Sequence, residues 1–276
     1  MGTVTPLNAR CGARITGVTG QALVDRAVAD ECLEALAHHG VVIYPGADVS
    51  DEDLVAFSRL LGEVVSLPMG GHELPEIQRI TRDPSQSKLA AYREGTFHWH
   101  IDGTTEEVPN RATLLTARQV AVDGGGDTEF ANTYAAYDAL PADERAALDG
   151  VRVVHSFGAA QSLVQPDASP EERAAWDRVP AREQPLVWTH EDGRRSLLIG
   201  STAGEVVGRS PEEGRALLDH LLAWSTQPEF TVRHRWTTGD LVIWDNTGML
   251  HRAEPYRVTS SRLMHRTSLL GEEKVR

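Results

Sequence analysis

Gly239-Asp240-Leu241-Val242-Ile243-Trp244-Asp245-Asn246 places an unbroken apolar run between turn formers, and His251 follows after a turn at Gly248. A short β-branched and aromatic run bounded in this way reads as a strand. Working outward, the same pattern predicts strands at 41–44, 77–82, 113–122, 151–157, 230–236 and 263–270. A hairpin is expected where 186–190 and 196–199 flank Glu191-Asp192-Gly193-Arg194-Arg195. Helices fit between the strands. Leu23, Ala27, Cys32, Leu33 and Leu36 fall on one stripe that stops at Gly40. Ser50 with Asp53 opens a second helix ending near Gly62, 133–140 and 141–150 read as two more, and Ser210-Pro211-Glu212-Glu213 is a strong start signal. Residues 83–97 show no periodicity and read as a loop, and 123–126 as a turn. The acidic, Ala- and Pro-rich stretch 165–182 reads as a surface insertion in a single domain spanning 1–276. Many strands with few helices predict a mainly β fold, an antiparallel core decorated by helices.

Composition narrows the function. Hydrophobic residues make up 41% and charged residues 24% of 276, an ordinary balance for a soluble globular chain that argues against disorder. A chain of this length buries enough surface to need neither disulfide nor structural metal for stability. The net charge of −13 argues against nucleic-acid or anionic-membrane binding. No apolar run is long enough to span a membrane, and no secretory signal is visible at the start. Cys11 and Cys32 have no metal-binding spacing and suit reduced thiols in the cytoplasm.

His100-Ile101-Asp102 is the local motif of interest. In an extended segment residues i and i+2 share a face, so one imidazole and one carboxylate would point to one place. His251 is the best third ligand. Two histidines and one carboxylate form the facial set of non-haem Fe(II) oxygenases, which leaves three coordination positions open. Alone, His-x-Asp is a weak signal and a surface pair is the bland alternative. Arg262, Met264 and Arg266 alternate in the last strand, which begins 11 residues after His251 and is expected to be its hairpin partner. Two inward arginines beside a metal would be costly without anions to pair with, and a planar fork suits a carboxylate. A 2-oxo acid can chelate the metal through its keto and carboxylate oxygens, leave a position for O2, and supply two electrons by decarboxylation. The far carboxylate of 2-oxoglutarate would need a cation, assigned here to Arg262, with the Thr128 hydroxyl as a second donor.

These segments together resemble the TauD/TfdA family of Fe(II)/2-oxoglutarate-dependent dioxygenases. The resemblance rests on His98-Trp99-His100-Ile101-Asp102-Gly103, on Gly125-Gly126-Asp127-Thr128-Glu129-Phe130-Ala131-Asn132 with Tyr134-Ala135-Ala136-Tyr137, and on Thr189-His190 with Gly193-Arg194. It continues through the opening run, His251-Arg252-Ala253 and Arg262-Leu263-Met264-His265-Arg266, so that it covers about 75–271. It implies a double-stranded β-helix (jelly-roll, cupin-like) core, iron on His100, Asp102 and His251, and 2-oxoglutarate on Thr128 and Arg262. It also implies that Arg266 faces the acid group of a small anionic substrate. The loop 67–74, with His72 as a candidate substrate contact, holds Met69, Gly70 and Gly71 where taurine-type enzymes make an aromatic contact, and Thr96 stands in place of their asparagine. The wording around His100 is nearer the aryloxyacetate branch, which includes tailoring oxygenases of secondary metabolism that desaturate or cleave C–N and C–O bonds. Relatives are often homo-oligomers.

Other chemistries fit less well. Gly124-Gly125-Gly126 matches no phosphate-binding pattern, Gly200-Ser201-Thr202-Ala203-Gly204 is not GxSxG, and HExxH is missing. A halogenase would need the carboxylate position vacant, and Asp102 fills it. A zinc hydrolase on the same ligands and a non-catalytic jelly-roll binder are the rivals outside the class. Trp99 reads as core, His98 as a structural or supporting group, and Asp245 and Asn246 as braces of the turn before His251.

Overall fold

The computed structural model describes residues 1–67, 71–122 and 124–276. Its largest sheet has seven strands, in the spatial order Thr3–Pro6, Ala13–Thr16, Val41–Tyr44, Leu241–Asp245, Ala112–Gln119, Leu263–Leu269 and Gln78–Ile80. The strand Leu241–Asp245 is central, antiparallel to Val41–Tyr44 on one side and to Ala112–Gln119 on the other. Both of its faces are covered, which is why its sequence is apolar throughout. Leu241 and Ile243 pack with Val42, Tyr44 and Leu114 against Leu36, Leu54 and Phe57 of the helices Arg26–His39 and Asp51–Leu61. Val242 and Trp244 face the other way, with Ile43, Leu115 and Met264, toward Phe130 and Met249.

Phe130 and Met249 belong to a second sheet, ordered Thr231–His234, Thr128–Asn132, Met249–Ala253. Strand parity therefore decides which residues see the space between the sheets. Leu115, Trp244 and Arg266 look into it. His265 and Thr267 look toward the helix Asp51–Leu61, where Thr267 shares a 2.8 Å hydroxyl hydrogen bond with Ser58. The chain passes from the first sheet to the second through the turn 246–248. A side chain at Gly248 would collide with the Tyr134 ring, since its Cβ would lie 1.9 Å from a ring carbon. Glycine is thus required by close approach. Gly40, at φ 70°, ends the first long helix as its position in the sequence predicted.

Three expectations need correction. The strand Leu263–Leu269 is not the hairpin partner of the His251 strand. It pairs with Ala112–Gln119 and Gln78–Ile80 in the first sheet, whereas Met249–Ala253 pairs with Thr128–Asn132 in the second. The intervening residues cross between sheets. Residues 83–97 are not all loop, because Ala90–Phe97 forms a 3-10 helix. The strand expected over 151–157 ends at His155; Ser156 then accepts the Ala159 N–H and caps the helix Phe157–Val164. Within the stretch 165–182, whose secondary structure the sequence left open, lies the helix Pro170–Trp176, opened by a reciprocal capping box of Ser169 and Glu172. Of the turn expected at 123–126, Asp123 lies outside the described residues, as do Met69 and Gly70 of the loop 67–74. Among the described residues no helix is long and apolar enough to cross a membrane.

His155 is fully buried, its Nδ1 2.9 Å from the Thr202 hydroxyl, and its Nε2 has no partner. Burial pushes its pKa down to about 4. As pH falls below the ordinary histidine value, the unfolded chain takes up this proton before the folded one does. Stability is therefore lost from about pH 6.5 down to about pH 4. Urea unfolding at pH 7 and pH 5 should show a loss of ~2 kcal/mol from this residue. His155→Gln should recover most of that difference; a variant with the wild-type pH slope would refute the assignment.

Candidate active site

His100 and His251 are joined by backbone. The His100 N–H donates to the His251 carbonyl at 3.0 Å, and the His251 N–H returns a bond to the His100 carbonyl at 2.9 Å. This reciprocal bridge attaches the segment before Asp102 to the strand Met249–Ala253 and brings the imidazole centroids to 4.2 Å. The spacing of the histidines in sequence carried no sign of this bridge. Asp102 completes the group: one carboxylate oxygen is 3.9 Å from His100 Nε2 and the other 3.9 Å from His251 Nε2. One donor atom from each residue lies within 4.8 Å of the others.

His100 Nδ1 lies 2.8 Å from the His98 carbonyl, so that nitrogen carries the proton and the Nε2 lone pair points inward. His251 is held neutral, burial and the adjacent His100 pushing its pKa down to about 3. Burial alone would raise the Asp102 pKa, but Arg266, His251, His100 and Arg93 outweigh it and hold the carboxyl ionised well below the usual range. Two imidazoles and one carboxylate with a shared open side fit a divalent iron ion, and the structure offers no fourth protein donor in the group among the described residues.

Behind this cluster lies a cavity lined by Ile80, Thr96, Leu115, Trp244 and Tyr256 together with four ionic or polar groups, Thr128, Arg262, Arg266 and Arg93. Arg262 is 3% exposed, and no carboxylate lies within ion-pairing distance of it among the described residues. Its guanidinium stacks on the Tyr256 ring at 4.8 Å. Burial lowers its pKa, a strain that a bound anion would relieve. The Thr128 hydroxyl accepts the Trp236 indole N–H at 2.9 Å, which leaves its own proton free to donate into the cavity. Arg262 and Thr128 therefore suit the distal carboxylate of a 2-oxo diacid.

Arg266 lines the same cavity but is partly committed: its Nη1 donates to Asp102 Oδ2 at 3.1 Å, while its Nε is buried without a partner. Asp245 accepts the Thr247 N–H at 2.8 Å, and Asn246 Nδ2 donates to the Thr113 hydroxyl at 2.8 Å, so both brace the turn before His251. His72 is placed elsewhere. It is hydrogen-bonded to Asp51 at 3.0 Å and packed edge-on against His265, on the helix side of the first sheet, and does not line the cavity. Arg118 also pairs with Asp51, so this second histidine–aspartate group has its carboxylate already neutralised. Sequence reasoning missed Arg93, which lies in the segment read as loop.

A set of two imidazoles and a carboxylate with a buried, uncompensated guanidinium beside it is the chemistry of a non-haem Fe(II) oxygenase that consumes a 2-oxo acid. Comparison with known proteins agrees. The family model described as "Taurine catabolism dioxygenase TauD, TfdA family" matches residues 3–268, and the chain belongs to that family. It is 36% identical over 255 residues to the alpha-ketoglutarate-dependent 2,4-dichlorophenoxyacetate dioxygenase of Cupriavidus pinatubonensis, covering 85% of this chain and 86% of that one. It is 32% identical over 282 residues to the (S)-phenoxypropionate/alpha-ketoglutarate-dioxygenase of Sphingobium herbicidovorans, covering 98% and 95%. Among solved structures, that of AAD-2 in complex with Mn(II) and N-oxalylglycine superposes with a TM-score of 0.82 at 28% identity over the full length of both chains. The protein is an Fe(II)- and 2-oxoglutarate-dependent dioxygenase.

Proposed function

We propose that this dioxygenase oxidises a small organic acid bearing a carboxylate or sulfonate, with 2-oxoglutarate converted to succinate and CO2. His100, Asp102 and His251 hold the iron, Arg262 and Thr128 hold the distal carboxylate of 2-oxoglutarate, and Arg266 faces the acid group of the substrate. The two facing sheets are read as the family's double-stranded β-helix. The observation that carries the proposal is a buried Arg262 without a carboxylate partner in the cavity beside the three convergent donors. The similarity to dioxygenases named for aryloxy acids supports an acidic substrate. His72 is left out of the assignment, since Asp51 and His265 already engage it. Both cysteines are free and buried, which suits the cytoplasm.

When bound, iron with its 2-oxo acid supplies the oxidising power that activates O2 against a substrate C–H bond. The chain's own residues position and exclude. Leu115, Ile80 and Trp244 present apolar walls, and Arg262 and Arg266 lie at the same cavity to fix two anions. Hydroxylation next to a heteroatom would then cleave the C–O, C–N or C–S bond. Anaerobic addition of Fe(II) and 2-oxoglutarate should give a visible charge-transfer band, and its absence would remove the proposal. Arg266→Ala should raise the substrate KM by about tenfold or more and uncouple 2-oxoglutarate decarboxylation from substrate oxidation. An unchanged KM in steady-state assays would overturn the Arg266 assignment.

A further inference from the structure

Arg93 lies on the 3-10 helix Ala90–Phe97, which leads directly into His98 and the metal-binding motif. It is 8% exposed. Its Nε is buried without a partner, and among the described residues its guanidinium makes one hydrogen bond, a long 3.4 Å contact from Nη2 to the Arg79 carbonyl. No carboxylate lies within ion-pairing distance of it among the described residues, although it lines the same cavity as His100, Arg262 and Arg266. A buried guanidinium so placed shares the Asp102 carboxylate with Arg266 and has no carboxylate of its own among the described residues, and the missing partner is an anion that enters the cavity.

Charge balance says how much anion. Asp102 is the carboxylate at the cavity and already accepts from Arg266. Asp127, behind Arg262, is held by Arg233 at 2.9 Å. Ferrous ion and 2-oxoglutarate cancel each other's charge. Three arginines against one carboxylate then leave an excess of two positive charges. A monoanionic substrate would leave one of these unanswered in a buried site.

We propose that Arg93 is a substrate-binding residue which, together with Arg266, forms a two-guanidinium subsite selective for a dianionic head group of the phosphonate or phosphate-monoester type. The inference rests on the dioxygenase reading above and revises its acid group from a singly charged carboxylate or sulfonate to a dianion. Two guanidiniums can pair with different oxygens of one tetrahedral dianion, whose two charges answer both.

The test uses two probes of similar size and different charge, inorganic sulfate and methanesulfonate. Full-length protein loaded anaerobically with Fe(II) and 2-oxoglutarate is titrated with each by calorimetry, and the visible band is recorded in the same sample. Wild type should bind sulfate at least tenfold more tightly than methanesulfonate. Arg93→Gln should reduce that ratio to near one, and Arg93→Lys should restore part of it. If Arg93 only props its helix against the Arg79 carbonyl, Arg93→Gln will lower the thermal midpoint and leave the ratio as in wild type. That outcome overturns the proposal, as does failure of wild type to prefer sulfate. Loss of the visible band in wild type instead strikes the dioxygenase reading, and the sulfate ratio still reports on Arg93.

Discussion

Asp102→Ala is expected to abolish substrate-dependent succinate formation and to weaken Fe(II) binding by about three orders of magnitude. Asp102 has two separable tasks. Its oxygens stand 3.9 Å from each histidine Nε2, the separation of groups that share a cation rather than a proton. One oxygen also accepts from Arg266 at 3.1 Å. Removing the carboxylate would delete the proposed metal donor and leave Arg266 without its counter-charge. The pair is only partly buried, so breaking it costs less than the ~3–5 kcal/mol of a fully buried pair. Asp102→Asn keeps the shape and separates the tasks: it should retain the native thermal midpoint more closely than Asp102→Ala while binding Fe(II) poorly. Metal titration and thermal unfolding of both variants check this. An Asp102→Ala protein that binds iron as wild type does would exclude the carboxylate as a ligand.

Arg262→Ala should raise the 2-oxoglutarate KM by about a hundredfold while Fe(II) affinity stays close to that of wild type. The guanidinium is buried, stacked on Tyr256 and distant in sequence from the metal donors. Loss of a buried, hydrogen-bonded charge pair to a ligand carboxylate is worth about 2–5 kcal/mol, and a hundredfold change lies within that range. Arg262→Lys keeps the charge but not the fork, and should recover only part of the affinity. Parallel titrations of iron and of 2-oxoglutarate decide the matter. Equal losses of both would make Arg262 a structural residue.

What could be read from sequence follows the range of the physics involved. Leu241–Asp245 and Val41–Tyr44 were legible because a strand covered on both faces must be apolar at every position. The helix Pro211–Ser225 was legible from its capping signal, and the same signal at Ser169-Pro170-Glu171-Glu172 went unread in a stretch taken only as a surface insertion. His100, Asp102 and His251 stand together because ligand identity is local chemistry. The connection of the last strand was not legible. A spacing of 11 residues permits a hairpin, and only packing sends the chain to the other sheet. Arg93 was hidden for a related reason: nothing in residues 83–97 says that an arginine there will be enclosed, since its burial is made by Arg79 and Tyr256 from remote parts of the chain. His265 is a polar residue on the opposite face of the strand from Arg262, Met264 and Arg266, and Asp51 on the neighbouring helix explains it.

The reciprocal amide bridge between His100 and His251 ties one ligand-bearing segment to another irrespective of any guest. The folding reaction itself thus sets the spacing of the two imidazoles, and an arriving ion meets a finished socket instead of gathering loose arms. The entropy of assembling the centre is spent during folding, so capture of the ion would depend on its own dehydration more than on rearrangement of the polypeptide.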